Sequence, residues 1–345
     1  MKVRGNEIDI SEFGKDNILQ YLKKECENID FDNGEKNFLK IVFSNETEFN
    51  AVAYLEDKTA VSNISIATVI DIYHHALILM KRNDFFGDLG KEETMNFPFE
   101  FWGFEYPEIV DLDNGYKQIN FYEGPESDEK KSAAFLITCF GMEFLIFHEI
   151  GHHIGGHIGY IKDKLNMQEL FAQGQIKIID AKKYQLLEMD ADALSIAMLL
   201  ENIKIKLSYY STFVNGNINL IPHLLVSAIT IVFFLIKKDF VEDFSYNNKY
   251  LPRDFRFYLV LSILFSKLGN EYNICCQFQS KKSLLMTIGQ TNKLLKELYI
   301  QEGTEQSIEL HNLERIGRYY TETLLKEWKP LREELMEYAK VELPE

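Results

Sequence analysis

Apolar and polar positions follow two different periods along this chain. FLKIVFS (38–44) and FNAVAYL (49–55) are rich in β-branched and aromatic residues and are separated by Ser-Asn-Glu-Thr-Glu turn chemistry, so they predict two strands. VSNISI (61–66) predicts a third. Apolar residues then recur at helical spacing from about Ala67 to Met80, and Lys81, Arg82 and Asn83 mark the end of that helix. From about Asp128 onward the helical period dominates. Helices are expected at 129–157, 181–203, 220–238, 254–268, 282–300 and 303–340, the last broken at Pro330. Asp180 is the expected N-cap of the second of these. Residues 1–35 are polar and acidic and carry one short predicted helix, Ile18 to Cys26.

Residues 84–130 break both periods. They hold Gly87, Gly90, Pro98, Gly103, Pro107, Gly115, Gly124 and Pro125 among many aromatic and acidic residues. An ordered inserted lobe is expected, because Phe97, Phe99, Phe101, Trp102, Phe104 and Tyr106 would otherwise leave much apolar surface in water. A hairpin is expected around Asn114–Gly115. The aromatic patch 97–106 could line a substrate groove or simply close the lobe. The expected division is an N-terminal sheet and helix (1–83), the inserted lobe (84–130), a helical core (131–270) and C-terminal helices (271–345). The fold class is α+β, with a small N-terminal sheet over a helix and a helix-dominated C-terminal two-thirds.

Composition narrows the function. The 345 residues are 46% hydrophobic and 26% charged, which excludes a disordered tail, a fibre and a disulfide scaffold. Thirty-seven Lys and Arg against 53 Asp and Glu give a formal charge of −16. Phosphate binding needs clustered cations, so nucleic acid and an anionic membrane surface are not expected partners. A protein or small molecule is. Cys26, Cys139, Cys275 and Cys276 show no metal-ribbon or CxxC spacing, which fits a reducing, cytoplasmic setting. The start of the chain has no apolar run of secretory type. Between Leu207 and Ile236 no charged residue occurs, and LLVSAITIVFFLI (224–236) is almost wholly apolar. That run is shorter than the ~20 residues of a spanning helix and is preceded by Pro222, His223 and three asparagines, so it predicts a buried core helix.

The chemistry centres on FHEIGHHIGGH (147–157), where His148, Glu149 and His152 form H-E-x-x-H. Helical residues four apart differ in direction by about 40°, so both imidazoles reach one ion. Glu149 lies about 100° round from His148, where its carboxylate meets a water rather than the metal. Zinc lowers the pKa of such a water to about 7, and the carboxylate takes its proton while a carbonyl is attacked. The preceding run AAFLITCFGMEFLIF (133–147) places the motif on a buried helix. Buried imidazoles and a buried Glu are costly there without a metal or other partners. In the helix AKKYQLLEMDADALSIAMLL (181–200), Glu188 and Asp192 share a face, whereas Asp190 points roughly opposite and reads as solvated. Glu188 is the expected third ligand. Asp192 is the expected outer carboxylate that grips a ligand histidine, and Asp190 could exchange roles with either.

H-E-x-x-H followed on a later helix by E-x-x-A-D (Glu188, Ala191, Asp192) resembles the gluzincin metallopeptidases. Asn50-Ala51-Val52-Ala53, followed by Ile64-Ser65-Ile66 and a helix, is similar to the N-A-x-A strand of the prenyl-protein and heat-shock membrane peptidases. Tyr250-Leu251-Pro252-x-x-x-Arg256 resembles their H-P-P-x-x-x-R element, with Tyr250 in place of the His. The resemblance implies that Asn50, Ala51, Val52 and Ala53 form an edge near substrate. It further implies that Tyr250 and Arg256 lie near the reacting carbonyl, where a phenol could donate to an oxyanion. This chain has at most one marginal spanning candidate. Among soluble relatives it resembles the phage-exclusion peptidases of Lit type and the ImmA/IrrE-type regulators. The implied protein is a zincin-like, zinc-dependent intracellular hydrolase with a restricted protein or peptide target and an activating or inhibiting protein partner.

The other histidines fit plainer roles. A metzincin would need a histidine at position 158, which is Ile, and His157 on a continuous helix points about 180° from His148. A turn at Gly155–Gly156 would be needed to bring it back. His153 reads as an outer or surface group, and His74 and His75 as packing residues. His223 competes with Tyr250 but reads as a packing or capping residue, and His311 carries no signal. Phe255, Phe257, Tyr258, Leu261 and Leu264 read as one core stripe. The rival classes are a non-catalytic zinc-containing interaction or regulatory protein and an integral-membrane gluzincin peptidase.

Overall fold

Ser65 is the residue at which the period of two gives way to the period of 3.6. Its backbone closes a strand, and its hydroxyl accepts from the Thr68 amide at 3.1 Å as the N-cap of the following helix. The computed structural model describes residues 2–4, 7–9, 39–44, 49–56, 59–82, 109–111, 117–119, 125, 127–164, 178–236, 251–270, 281–300 and 317–340. The expected helix 18–26, the aromatic patch 97–106, Tyr250 and His311 lie outside the described residues.

Two sheets occur among the described residues. β1 (Lys2–Arg4), β2 (Glu7–Asp9), β6 (Ile109–Asp111) and β7 (Lys117–Ile119) form an antiparallel sheet in the order β2-β1-β7-β6. The β6–β7 pair, Val110 opposite Gln118, is the hairpin expected around Asn114–Gly115. The second sheet holds the three strands predicted from the apolar segments: β3 (Leu39–Ser44), β4 (Ala51–Glu56) and β5 (Thr59–Ser65), in the order β3-β5-β4. β5 pairs parallel with β3, Leu39 opposite Ala60, and antiparallel with β4, Ala51 opposite Ile64. The two strands adjacent in sequence at 39–56 therefore do not pair with each other. β4 ends this sheet.

Among the described residues nine α-helices follow the order of the chain: α1 (Ile66–Lys81), α2 (Asp128–Ile154), α3 (His157–Lys164), α4 (Ile178–Ile205), α5 (Leu207–Thr212), α6 (Ile221–Leu235), α7 (Arg253–Asn270), α8 (Lys281–Ile300) and α9 (Leu325–Leu335). α2 is the axis of the molecule. It packs against α1, α4, α6 and β4, and because it is covered on several sides it is apolar nearly all round. Ser127 caps its start and Asp128 and Glu129 occupy its first turn, where negative charge suits the helix dipole. α6 is the apolar run at 224–236 and is buried against α2 and α8, as its length predicted. α2 and the segment Ile218–Leu235 are both long and apolar enough to cross a membrane, and both are mostly buried within the protein. A second apolar cluster joins α3, the start of α4, Leu251, Phe255 and the C-terminal helices. Tyr160 donates to Glu334 at 2.6 Å and Lys183 to the same carboxylate at 3.0 Å, tying α9 to that cluster.

Four local expectations are corrected. The helix expected at 129–157 ends at Ile154, since Gly156 adopts φ +77, and α3 starts anew at His157. Asp180 lies inside α4, which begins at Ile178, and so is not its N-cap. The C-terminal helix runs through Pro330, because Pro330 is on the exposed face, where water can satisfy the carbonyl left without a donor. Tyr258 is half-exposed, unlike Phe255, Phe257, Leu261 and Leu264, which are buried.

α1 carries ionisable side chains into the core. Burial pushes the Asp71 carboxyl up to about 7 from 3.8, and lowers His75 to about 4, although the Asp71 carbonyl oxygen accepts from its ring at 2.7 Å. With a raised folded pKa, Asp71 is protonated in the fold between pH 4 and 7 while the unfolded chain is ionised. Its contribution is present below about pH 4 and is lost as pH rises towards 7. His75 acts in the opposite sense, costing stability as pH falls from about 6.5 to 4. Asp71→Asn removes only the first of these. The melting-temperature advantage of that variant over the native protein should widen from pH 4 to 7 and stay level above; a pH-independent difference would contradict the assignment.

Candidate metal centre

His148 and His152 lie on consecutive turns of α2 with ring centroids 4.7 Å apart. Their Nε2 atoms are 3.1 Å from each other. Glu188 reaches across from α4, placing Oε2 3.5 Å from His148 Nε2 and Oε1 3.5 Å from His152 Nε2. All three side chains are buried, and one ligand atom from each lies within 4.8 Å of the others. A tetrahedral ion with bonds of about 2.0–2.1 Å has ligand–ligand edges of about 3.4 Å. The two Nε2 atoms are separated by close to such an edge, and each has a Glu188 oxygen at a similar distance, His148 facing Oε2 and His152 facing Oε1, so the group could hold a metal ion of that size.

Two small residues let the helices close enough for this. A Cβ on Gly151 would stand 3.2 Å from the Ala191 backbone, so the glycine inside the histidine motif and the alanine inside E-x-x-A-D form the crossing point. One turn away Ser195 donates to the Phe144 carbonyl at 2.5 Å and fixes the register of α4 on α2.

The carboxylates are held in turn. Asp192 Oδ1 lies 2.9 Å from His148 Nδ1, an ion-pair distance without the alignment of a full hydrogen bond. Arg256 on α7 donates to both oxygens of Asp192, from Nε and a terminal nitrogen at 2.9 Å each, and its other terminal nitrogen is 3.1 Å from Glu188 Oε2. The structure thus brings Arg256 to the two α4 carboxylates. Burial alone would raise Glu188 and Asp192; the Arg256 guanidinium and the imidazoles outweigh it and hold both below the usual carboxylate range. Burial would lower His148, but Asp192 and Glu188 raise it to about 10, while burial takes His152 well below its usual value. His148 faces both Asp192 and Glu188 whereas His152 faces Glu188 alone, which accounts for the opposite directions. Glu149 is buried beside them, and loss of solvent raises its carboxyl to about 7.

Asp190 is corrected from solvated to buried. The Gly155–Gly156 turn brings α3 back, so His157 Nδ1 lies 2.9 Å from His152 Nδ1 and His157 Nε2 lies 3.0 Å from Asp190 Oδ2. His157 is therefore not a ligand. The residue pair was missed because Asp190 was judged from its own helix alone; the consecutive glycines before His157 were the available signal. His153 meets the Val61 carbonyl at 3.0 Å, linking α2 to the central strand. His223 meets Thr287 at 2.7 Å between α6 and α8, as a packing residue does. Asn50 sits against the cap of α1, its amide 2.9 Å from Thr68 Oγ1, and Ala51, Val52 and Ala53 open the edge strand β4 beside α2. A mainly apolar cavity of about 620 Å³ lies between α4, α7 and the C-terminal helix; Asp190 and Asp192 border it, but His148, Glu149 and His152 do not.

No protein-family model matches this chain, and no curated protein or solved structure does either. A buried His148–His152–Glu188 group able to hold a metal ion is what the geometry establishes.

Two substitutions probe how the centre is built. Gly151→Ala must force the α2–α4 crossing apart by a few tenths of an ångström against backbone, an overpacking cost of about 1–3 kcal/mol in denaturant unfolding, with weaker metal uptake. Unchanged stability would mean that the helices are not held at this distance. Arg256→Leu leaves Asp192 and Glu188 buried without their guanidinium and should cost about 3–5 kcal/mol. A loss below about 1 kcal/mol would show that the carboxylates are otherwise satisfied.

Proposed function

We propose that this chain is a zinc-dependent peptidase of gluzincin type, hydrolysing a peptide bond in a restricted protein target inside the cell. The convergence of His148, His152 and Glu188 from two helices carries this reading, with Glu149 buried one residue from the first ligand. A purely structural metal site usually closes its fourth position with another protein ligand and has no need of such a carboxylate. The burial of both long apolar helices favours a soluble enzyme over a membrane one.

His148, His152 and Glu188 hold the zinc, and Asp192 holds His148 from behind. When bound, zinc supplies a Lewis acid that lowers the pKa of water to about 7 and polarises a carbonyl. Glu149, with its carboxyl raised to about 7, takes the water's proton on a carboxylate oxygen and returns it to the leaving amine. Among the described residues β4 is the outer strand of its sheet beside α2, so Ala51 to Ala53 can pair with an extended substrate backbone, whereas the Asn50 amide and carbonyl are engaged by Thr68 and Ser65. Arg256 keeps Asp192 and Glu188 ionised and in place. Tyr250, from the resemblance, is the candidate donor to the oxyanion.

A second reading has an observation in its favour. With Arg256 against both carboxylates and the two Nε2 atoms within hydrogen-bonding distance of each other, the cluster can satisfy its own polar groups, as a metal-free or purely structural core would. The protein would then act as an interaction or regulatory partner. Metal analysis and proteome-wide detection of cleaved proteins separate the two. The peptidase reading predicts about one zinc per chain, cleavage sensitive to chelator, and loss of at least 100-fold in hydrolysis in Glu149→Gln with zinc retained. Full proteolysis by that variant would refute the assigned base.

A further inference from the structure

The His152–His157–Asp190 chain has a direction that its chemistry imposes. An ionised carboxylate only accepts, so Asp190 Oδ2 at 3.0 Å requires the proton of His157 on Nε2. A neutral His157 then has a lone pair on Nδ1, and the 2.9 Å contact between the two Nδ1 atoms requires the proton of His152 on its own Nδ1. His152 Nε2 is left with a lone pair facing His148 Nε2 and Glu188. We propose that His157 and Asp190 form a two-residue positioning relay that fixes the tautomer and ring plane of His152 for metal binding. This rests on the zinc reading above.

The surroundings are built around this contact. On an unbroken helix His157 would point away from His152. The turn that returns it needs Gly156 at φ +77, and a Cβ there would stand 2.5 Å from the backbone of Tyr338. A Cβ on Gly155 would stand 2.7 Å from His157 Nε2, so only glycine leaves room for the ring. The Lys340 amide donates to the Ile154 carbonyl at 2.7 Å and pins the C-terminal segment over the same turn. His157 is wholly buried, and His152 and Asp190 are nearly so, which excludes the water that would otherwise compete for these hydrogen bonds. The two ligand histidines thus have separate supports: Asp192 with Arg256 behind His148, and His157 with Asp190 behind His152.

The test combines a spectroscopic readout with metal affinity in the full chain. In chelator-treated native protein, ¹⁵N NMR of the imidazoles should show His152 protonated on Nδ1 and His157 protonated on Nε2 alone. Zinc affinity, measured by competition with a chromogenic chelator, should fall 10- to 100-fold in Asp190→Asn. Gly155→Ala, which displaces the His157 ring without altering a titratable group, should produce a comparable loss. Both variants should keep the native far-ultraviolet circular dichroism in chelator. A proton on His152 Nε2 in the native protein, or native zinc affinity in either folded variant, would overturn the relay. Should one variant fail to fold, the native tautomers and the other variant still decide. If the native protein takes up no zinc, the zinc reading fails and the positioning role falls with it; relay failure is distinct, showing wrong tautomers or unaltered affinity in a protein that does bind zinc.

Discussion

The cost of placing four carboxyl groups and three imidazoles inside an apolar helical core governs this structure. Glu149, Glu188, Asp190, Asp192, His148, His152 and His157 are all buried. Transferring an isolated ionised carboxylate from water into such surroundings costs several kcal/mol after relaxation, so the cluster persists only because its members satisfy one another. Arg256 neutralises one side of it, reaching Asp192 and Glu188 together. What remains at its centre is a pair of Nε2 atoms 3.1 Å apart, a contact that needs a proton or a cation between them.

That requirement explains why α2 is both the axis of the fold and the carrier of the chemistry. A helix covered by α1, α4, α6 and β4 has little freedom to shift. Groups placed on it four residues apart are therefore held firmly, and a metal site needs its ligands fixed to within about 0.5 Å. The same covering makes the neighbouring helices part of the site. Gly151 and Ala191 set the distance between α2 and α4, and the C-terminal segment fixes the turn after α2. Changes far from the imidazoles in sequence are thus coupled to them through packing.

Much of this was legible in the amino-acid sequence because it rests on local periods. The three strands at 39–65, the helices from 128 onward and the buried character of 224–236 follow from alternation, 3.6-residue spacing and run length. The grouping of His148, His152 and Glu188 follows from i, i+4 geometry on one helix and a shared acidic face on the next. Strand order was not legible: nothing in the residues 39–56 says that β5 inserts between β3 and β4. Asp190 was misjudged because its partner, His157, is supplied by a turn whose closure depends on the distant residues 338–340. Pro330 was expected to break a helix, yet it lies on an exposed face where its missing donor is inexpensive.

The claim on which the functional account rests is that two segments of the chain enclose one divalent ion with an open coordination position. X-ray absorption at the zinc edge of the purified protein addresses it directly. The account predicts about one zinc per chain, with two imidazole nitrogens and one carboxylate oxygen at about 2.0–2.1 Å plus one further light-atom ligand. A protein free of zinc, or a zinc shell containing sulfur or lacking imidazole, would contradict it.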